Sequence, residues 1–546
     1  MMDRAMSVGY VQRNNGETKS ESIGNSVLPH SVLQFFERYG KTYLFSLLVT
    51  LLCWGGNALT SNVRVDMEHF VNNPGTMQGW LTIGRWGQLG LKALIGNIDF
   101  NPYYAGVLFL IIWPLSAMAW LFLFEYCRGR QLKGRWIFIL TYSVAHWWSY
   151  IFYFSMMAVE VSIGLFIIPI AILLMLGIFQ QTAILKKVGL ALGSVVLLVS
   201  VYALYQALVP ATITGMAAAL FFLSVRQLHE RGSFWDYLKR CLLSLSVFLI
   251  SYVVYSVITA LYFTSSDYLS SQVVWDERGF ASCAYDLLRY AWHVITCRTE
   301  GATGLFSLGV ISSMVIYGIL FFRSSTRRSA TWQLRALSVI TFFVLLISPF
   351  LLAIYMGQAP IARSQFSIPI AASVLTLFAF DEISDNSNKC YALPFSVVIV
   401  ALTVVFSVYS ISLIQRDVYT DDVRYQQEAA FANNLLVDLE RLYGEQLNEV
   451  PVVFVGKWSA PLNPACTRDE IWGRTLFEHD YMYLENAAYN TVRIAGFIQA
   501  VFGVRLVSPS ADQEQIAVVI ASGMESYPDA ESICMKDGII VVKLDN

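Results

Sequence analysis

The sequence predicts a polytopic α-helical membrane protein of about eleven transmembrane helices, followed by a C-terminal extracytoplasmic α/β domain. Three observations predict it. The 546 residues are 56% hydrophobic and only 14% charged, where a soluble protein averages about 45–50% apolar and about 25% charged. The apolar residues gather in runs of about 20, the length a helix needs to cross a bilayer core of roughly 30 Å. Beyond residue 415 those runs stop and a mixed, water-compatible pattern begins. A charge fraction this low cannot cover the surface of a soluble multidomain enzyme. A disordered chain, a coiled coil and a collagen-like fibre are excluded as well.

Eleven stretches qualify as spans: 42–60, 104–125, 136–155, 160–181, 188–208, 210–225, 241–263, 302–322, 336–356, 366–380 and 391–414. The first is a retained anchor. Its polar leader is too long for a signal peptide, and Cys53-Trp54-Gly55-Gly56-Asn57 is no small-residue cleavage site. Lys and Arg near span ends resist translocation, so their placement sets orientation. With the N-terminus inside, the segments 1–41, 126–135, 182–187, 226–240, 323–335 and 381–390 hold 20 of them. The outer loops 61–103, 264–301 and 357–365 hold 7. Arg128, Arg130, Lys133 and Arg135, and further on Arg323, Arg327 and Arg328, are the clearest inner anchors. The chain thus divides into a cytoplasmic tail (1–41), a transmembrane domain (42–414) and a soluble outer domain (415–546).

Charge follows the same division. Residues 1–414 carry 27 Lys and Arg against 19 Asp and Glu, and residues 415–546 carry 10 against 20. The bland net charge of −2 is a basic membrane part plus an acidic tail that anionic headgroups repel. In the tail, apolar residues at helical intervals predict an amphipathic helix over 421–443. Pro451-Val452-Val453-Phe454-Val455 reads as a buried strand, and 487–502 and 512–523 as two helices. Lys536-Asp537-Gly538 before Ile539-Ile540-Val541-Val542 is a hairpin signal, because Asp-Gly suits a type I′ turn. Four cysteines fall outside in two pairs, Cys283 with Cys297 and Cys466 with Cys534, which predicts two disulfides on an oxidising face.

Ionisable residues inside spans are few. Glu160 and His146 are the exceptions, and neither has a partner evident in the sequence. The first outer loop is richer: Asp66-Met67-Glu68-His69 follows span one directly. On an extended segment Asp66 and Glu68 share one face, whereas on a helix they point about 200° apart. Pro74-Gly75 then opens a stretch to Ile95 that includes Trp80 and Gly84-Arg85-Trp86-Gly87. It reads as an interfacial helix with Trp at headgroup depth. The short turn 357–365 carries a single charge, Arg363. No P-loop, HExxH or nucleophile-elbow sequence occurs.

This arrangement resembles the GT-C class of glycosyltransferases. More narrowly, Asp66-Met67-Glu68-His69, Trp80 and Gly84-Arg85-Trp86-Gly87 resemble the glucosyltransferase II family, bacterial membrane enzymes that decorate surface polysaccharides and include serotype-converting O-antigen (lipopolysaccharide) glucosyltransferases. The resemblance covers roughly 40–415, and the tail matches no motif. It implies a GT-C-like catalytic domain in the bacterial inner (cytoplasmic) membrane, with the C-terminal domain periplasmic. It also implies a polyprenyl-phosphate-glucose donor and a lipid-linked or surface glycan acceptor, with no nucleic acid. Such chemistry needs a base for the attacking hydroxyl and a cation for the leaving phosphate. By that resemblance Asp66 is the base and Glu68 its assistant. Arg363, and secondarily Arg85, would bind the donor phosphate through the guanidinium fork. Trp80, Trp86 and His69 would line the substrate site. No residue is assigned to a metal; the class admits a divalent ion, which a lipid-monophosphate donor makes less necessary. A retaining two-carboxylate route stays open. The rival classes are a transporter or lipid-linked sugar flippase, with functional residues inside the spans, and a non-catalytic scaffold of surface-polymer assembly.

Overall fold

The computed structural model of the chain describes residues 32–230, 232–263, 270–326, 331–385, 392–479, 488 and 490–545. The cytoplasmic tail expected over 1–41 lies mostly outside the described residues, as do Arg327 and Arg328.

Helix α1 (Val32–Ala58) is followed by a connection folded as α2 (Met67–Asn72), a 3-10 turn at Pro74–Gln78, α3 (Gly79–Thr82) and α4 (Trp86–Leu94). The body continues with α5 (Pro102–Arg128), α6 (Arg135–Ser143), α7 (Trp147–Phe152), α8 (Ser155–Gly177), α9 (Ile184–Leu204), α10 (Leu208–Glu230) and α11 (Phe234–Tyr262). A second long connection holds α12 (Trp275–Arg278) and α13 (Phe280–Ile295). Then come α14 (Leu305–Thr326), α15 (Trp332–Ile347), α16 (Leu351–Met356), α17 (Ser367–Asp385) and α18 (Ala392–Tyr443). Among the described residues nine helices are long and apolar enough to cross a membrane. The chain is a polytopic helical membrane protein. Leu192, Val196, Leu249 and Val253 are left exposed on α9 and α11, as a lipid-facing surface requires.

Two of the eleven expected spans depart from that pattern. The first, within α1, is not among the nine. The third is not one helix: α6 and α7 are separated at 144–146, where His146 Nε2 lies 2.7 Å from Asp417 Oδ2 on α18. The pair still runs the length of the body. Arg135 meets Glu125 at one end, and the Phe152 carbonyl accepts from Asn57 Nδ2 at the other. Glu160 is likewise partnered, 2.7 Å from Lys92 of α4, with both side chains buried. The expected interfacial helix is bent at Gly84, whose φ of 74° suits glycine. It packs inward through Gln88 and Lys92 as well as outward.

Helix α18 runs unbroken for 52 residues, so no hinge separates the last span from the tail. Its residues Ile399, Thr403, Ser407, Ser410, Ile414, Asp417, Asp421, Arg424 and Glu428 are buried. They recur every three or four positions, on one inward face. The tail then forms β1 (Val452–Val455), α19 (Asn490–Phe502), α20 (Ala511–Ala521), β2 (Ile533–Lys536) and β3 (Ile539–Lys543). The sheet order is β1-β3-β2. The β1–β3 pair is parallel and the β2–β3 hairpin antiparallel, with Lys536 opposite Ile539. Asp537 and Gly538 have φ of 51° and 75°, the two positive values a type I′ turn demands. Each strand and helix expected in the tail is present.

Neither expected disulfide forms. Cys283, Cys297, Cys466 and Cys534 are all free. Cys283 is buried near the start of α13 and contacts the Val274 carbonyl, while Cys297 lies exposed past its end. Fourteen helical residues separate them by about 20 Å, far beyond the roughly 7 Å Cα limit of a disulfide. Cys466 sits in a turn beside Thr420. Cys534 sits on β2, where Sγ contacts Met524 Sδ at 3.6 Å. The cysteines therefore give no independent evidence of which side the tail occupies.

Candidate active site

The chain between α1 and α2 is clamped before it reaches the acidic pair. Arg64 Nε lies 2.9 Å from Asp421 Oδ2, and its Nη1 donates to the Tyr153 carbonyl at 3.0 Å. Its guanidinium covers the Tyr153 and Trp472 rings at 5.2 and 5.6 Å. Arg424 donates to the Val63 carbonyl through both terminal nitrogens at 3.1 Å. These bonds fix Val63 and Arg64, so the chain must turn soon after them. Asp66, two residues on from Arg64, does so with φ 71° and ψ −24°, a left-handed conformation uncommon for a residue with a Cβ.

That turn joins the two carboxylates. Asp66 precedes α2 and Glu68 lies in its first turn, so the pair is neither extended nor wholly helical. Asp66 stands where a capping carboxylate would bond the helix N-terminus, yet its side chain makes no cap. Its Oδ1 lies 2.9 Å from Arg493 Nη1, and Glu68 Oε1 lies 2.7 Å from the same nitrogen. His69 Nε2 is 3.5 Å from Glu68 Oε1.

The two environments differ. The Asp66 side chain is 42% exposed. The packing around it raises its pKa, but Arg493, Arg363 and His479 outweigh that and hold it below the usual carboxylate range. Glu68 is fully buried, and its Oε2 has no hydrogen-bond partner among the described residues. Burial, reinforced by Asp66, pushes Glu68 up to about 8 despite Arg493. The two carboxyl groups are thus pushed in opposite directions, Asp66 down and Glu68 up, the kind of split that separates a base from its neighbour.

Arg363 is brought near the same carboxylate. Gly357 ends α16 in the left-handed region, and Arg363 follows in a 3-10 turn at Ala362–Ser364. Its guanidinium lies 5.0 Å over the Phe154 ring, and its charge lowers the pKa of Asp66. Glu470 accepts from the Ala362 amide. Burial raises the Glu470 pKa, against the pull of Arg363. Arg85 turns elsewhere: it lies 4.4 Å over Tyr205 and 3.4 Å from Gln206 Oε1, at the α9–α10 junction. Trp80 meets Phe70 edge-on at 4.7 Å. Trp86 donates to Thr259 Oγ1 at 3.3 Å and stacks on Phe263. The structure gathers Asp66, Glu68, His69 and Arg363, and places Arg85, Trp80 and Trp86 in the packing of the connection.

The sequence did not point to Arg493, His479 or Glu470, all from the tail. Nor did it point to a second polar group beside them. Tyr150 donates to Asp469 Oδ2 at 3.0 Å, next to the His146–Asp417 pair. Burial and the charges of Asp469 and Glu470 push Glu300 up to about 7. No group of three or more His, Cys, Asp or Glu among the described residues could hold a metal ion. No local motif announces these residues; the acidic bias of the tail was their only trace.

The model of a family described as glucosyl transferase GtrII matches residues 58–380. That stretch contains Asp66, Glu68, Arg85 and Arg363, and ends before α18. No curated protein and no solved structure matches the chain.

Proposed function

This chain belongs to the glucosyl transferase GtrII family, and on that premise we propose that it is a GT-C-type enzyme of the bacterial inner membrane. It moves a glucosyl residue from a polyprenyl-phosphate sugar to a lipid-linked or surface polysaccharide such as O-antigen, on the extracytoplasmic face. The observation that carries this reading is Asp66, bonded by Arg493 and with Arg363 near it at one end of the helical body, both arginines favouring its ionised form. A donor whose lipid stays in the bilayer presents its sugar phosphate at that level. Arg128, Arg130, Lys133 and Arg135 crowd the opposite end, which supports placing the Asp66 end and the C-terminal domain outside.

In the reaction, Asp66 takes the proton of the acceptor hydroxyl as its oxygen bonds to the anomeric carbon. The bond from that carbon to the phosphate oxygen breaks, and its electron pair leaves with polyprenyl phosphate. Arg363 offsets the charge that develops there. Direct displacement inverts the anomeric centre.

The test uses purified wild type, Asp66→Asn and Arg363→Ala in vesicles, with polyprenyl-phosphate glucose and host glycan. The expected result is transfer by the wild type and a loss of about 100- to 10,000-fold in Asp66→Asn. Robust transfer by Asp66→Asn removes it as the base. Unchanged transfer by Arg363→Ala moves the phosphate role to another cation. A well-folded wild type that transfers no sugar overturns the reading.

A further inference from the structure

Arg493 reaches the acidic pair from a domain beyond the family match. It lies in the first turn of α19, is 15% exposed, and offers one nitrogen to both carboxylates. The approach is built into the packing. A Cβ at Gly496, three residues on, would stand 3.0 Å from Glu68 Cγ, so a side chain there would press α19 and Glu68 apart. Asn72 of α2 donates to the Gly496 carbonyl at 2.7 Å. The helix is pinned in turn to the sheet: Thr491 Oγ1 accepts from the Phe454 amide and donates to the Phe454 carbonyl. Asn490 donates to the Phe477 carbonyl at 2.7 Å. A continuous set of bonds thus runs from β1 through α19 to α2.

We propose that Arg493 is a positioning residue for the transfer reaction, a cation from the C-terminal domain that holds Asp66 and Glu68 in their working arrangement and makes that domain part of the catalytic centre. The inference rests on the transfer reading above. Asp66 faces Arg493, Arg363 and His479. Glu68 faces Arg493, Asp66 and His69. Arg493 bonds both carboxyl groups. Without it the two confront each other, and the pair retains a proton to higher pH. Asp66 then holds its proton to higher pH than in the wild type, and neither carboxyl is fixed against the other by the shared bond.

The test compares full-length wild type, Arg493→Gln and Arg493→Lys in vesicles. The first readout is carbodiimide labelling of Asp66 against pH, mapped by mass spectrometry, since the reagent takes protonated carboxyls and needs no activity. The second is the pH profile of transfer from polyprenyl-phosphate glucose. In Arg493→Gln, labelling is expected to persist about one pH unit higher and the acid limb of kcat/KM to move up with it. Transfer near neutral pH should fall about 100-fold. Arg493→Lys or added guanidinium should restore part of it. An Arg493→Gln enzyme that melts as the wild type does and keeps both profiles overturns the proposal. Should Arg493→Gln fail to fold, Gly496→Leu leaves the arginine in place but forces α19 away from Glu68. The same upward shift is expected there, and its absence overturns the proposal equally. If the wild type transfers nothing yet the labelling shift occurs, glucosyl transfer is the reading that fails, and the hold of Arg493 on Asp66 stands.

Discussion

The two ends of the helical body use the same residue types to opposite purposes. At the Arg-rich end the partners shown come from α1, α5 and α17. Glu125, fully buried, accepts from Arg135 at 2.6 and 2.7 Å and from the Tyr39 hydroxyl at 2.6 Å. Arg128 and Arg130 pair with Asp381, Glu382 and Asp385 near the end of α17. Both oxygens of Glu125 are bonded, so the cluster is closed. At the other end one arginine of a separate domain serves two carboxylates. Asp66 is left part-exposed, and one Glu68 oxygen is unbonded among the described residues. Satisfied ion pairs hold a fold together and resist proton exchange. Unsatisfied ones keep a carboxylate available to react, at a cost in stability.

Substitutions at the two ends should therefore separate activity from stability. The largest effect is on catalysis. Asp66→Asn should cost about 100- to 10,000-fold in transfer, equal to about 3–5 kcal/mol, while its melting temperature stays near that of the wild type. A large drop in melting would mean that the open end is structural after all. Next, Glu125→Ala should destabilise by about 3 kcal/mol, because Arg135 is left without its buried partner. Thermal unfolding in detergent checks this, and the pH profile of the surviving enzyme should be unchanged. A third test is the pH dependence that Glu68 contributes. Its folded pKa, near 8, lies above its ordinary value. Its contribution is complete below about pH 4.5 and lost as pH rises through about 8. Wild-type melting should fall across that window, and Glu68→Gln should flatten the fall. An unaltered slope would place the proton elsewhere, with Glu300 the next group to test. The smallest effect concerns the free cysteines. Reductant should leave the melting temperature unchanged. Maleimide should label exposed Cys297 and spare buried Cys283.

The membrane character of the chain and the elements of its tail were readable because each depends on neighbours in sequence. Apolar runs predict spans, and Asp537-Gly538 predicts its own turn. Asp66 and Glu68 were readable for the same reason, being two residues apart. What escaped were partnerships of long reach. Arg493 lies 427 residues from Asp66, and Asp417 lies 271 from His146. The third span reads as one apolar run, and nothing local reveals that His146 sits at its break. The cysteines erred in the other direction: their pairing on one expected face suggested two bonds; all four are free, and the length of α13 forbids the first.

By itself, then, the sequence determined that this is a polytopic helical membrane protein with a small α/β tail. Hydrophobic burial and turn conformation act over a few residues at a time. Only the tertiary structure decided which carboxylate stays ionised. That choice depends on solvent access and on the charge brought within a few ångströms, and here the charge arrives on α19 from the far end of the chain.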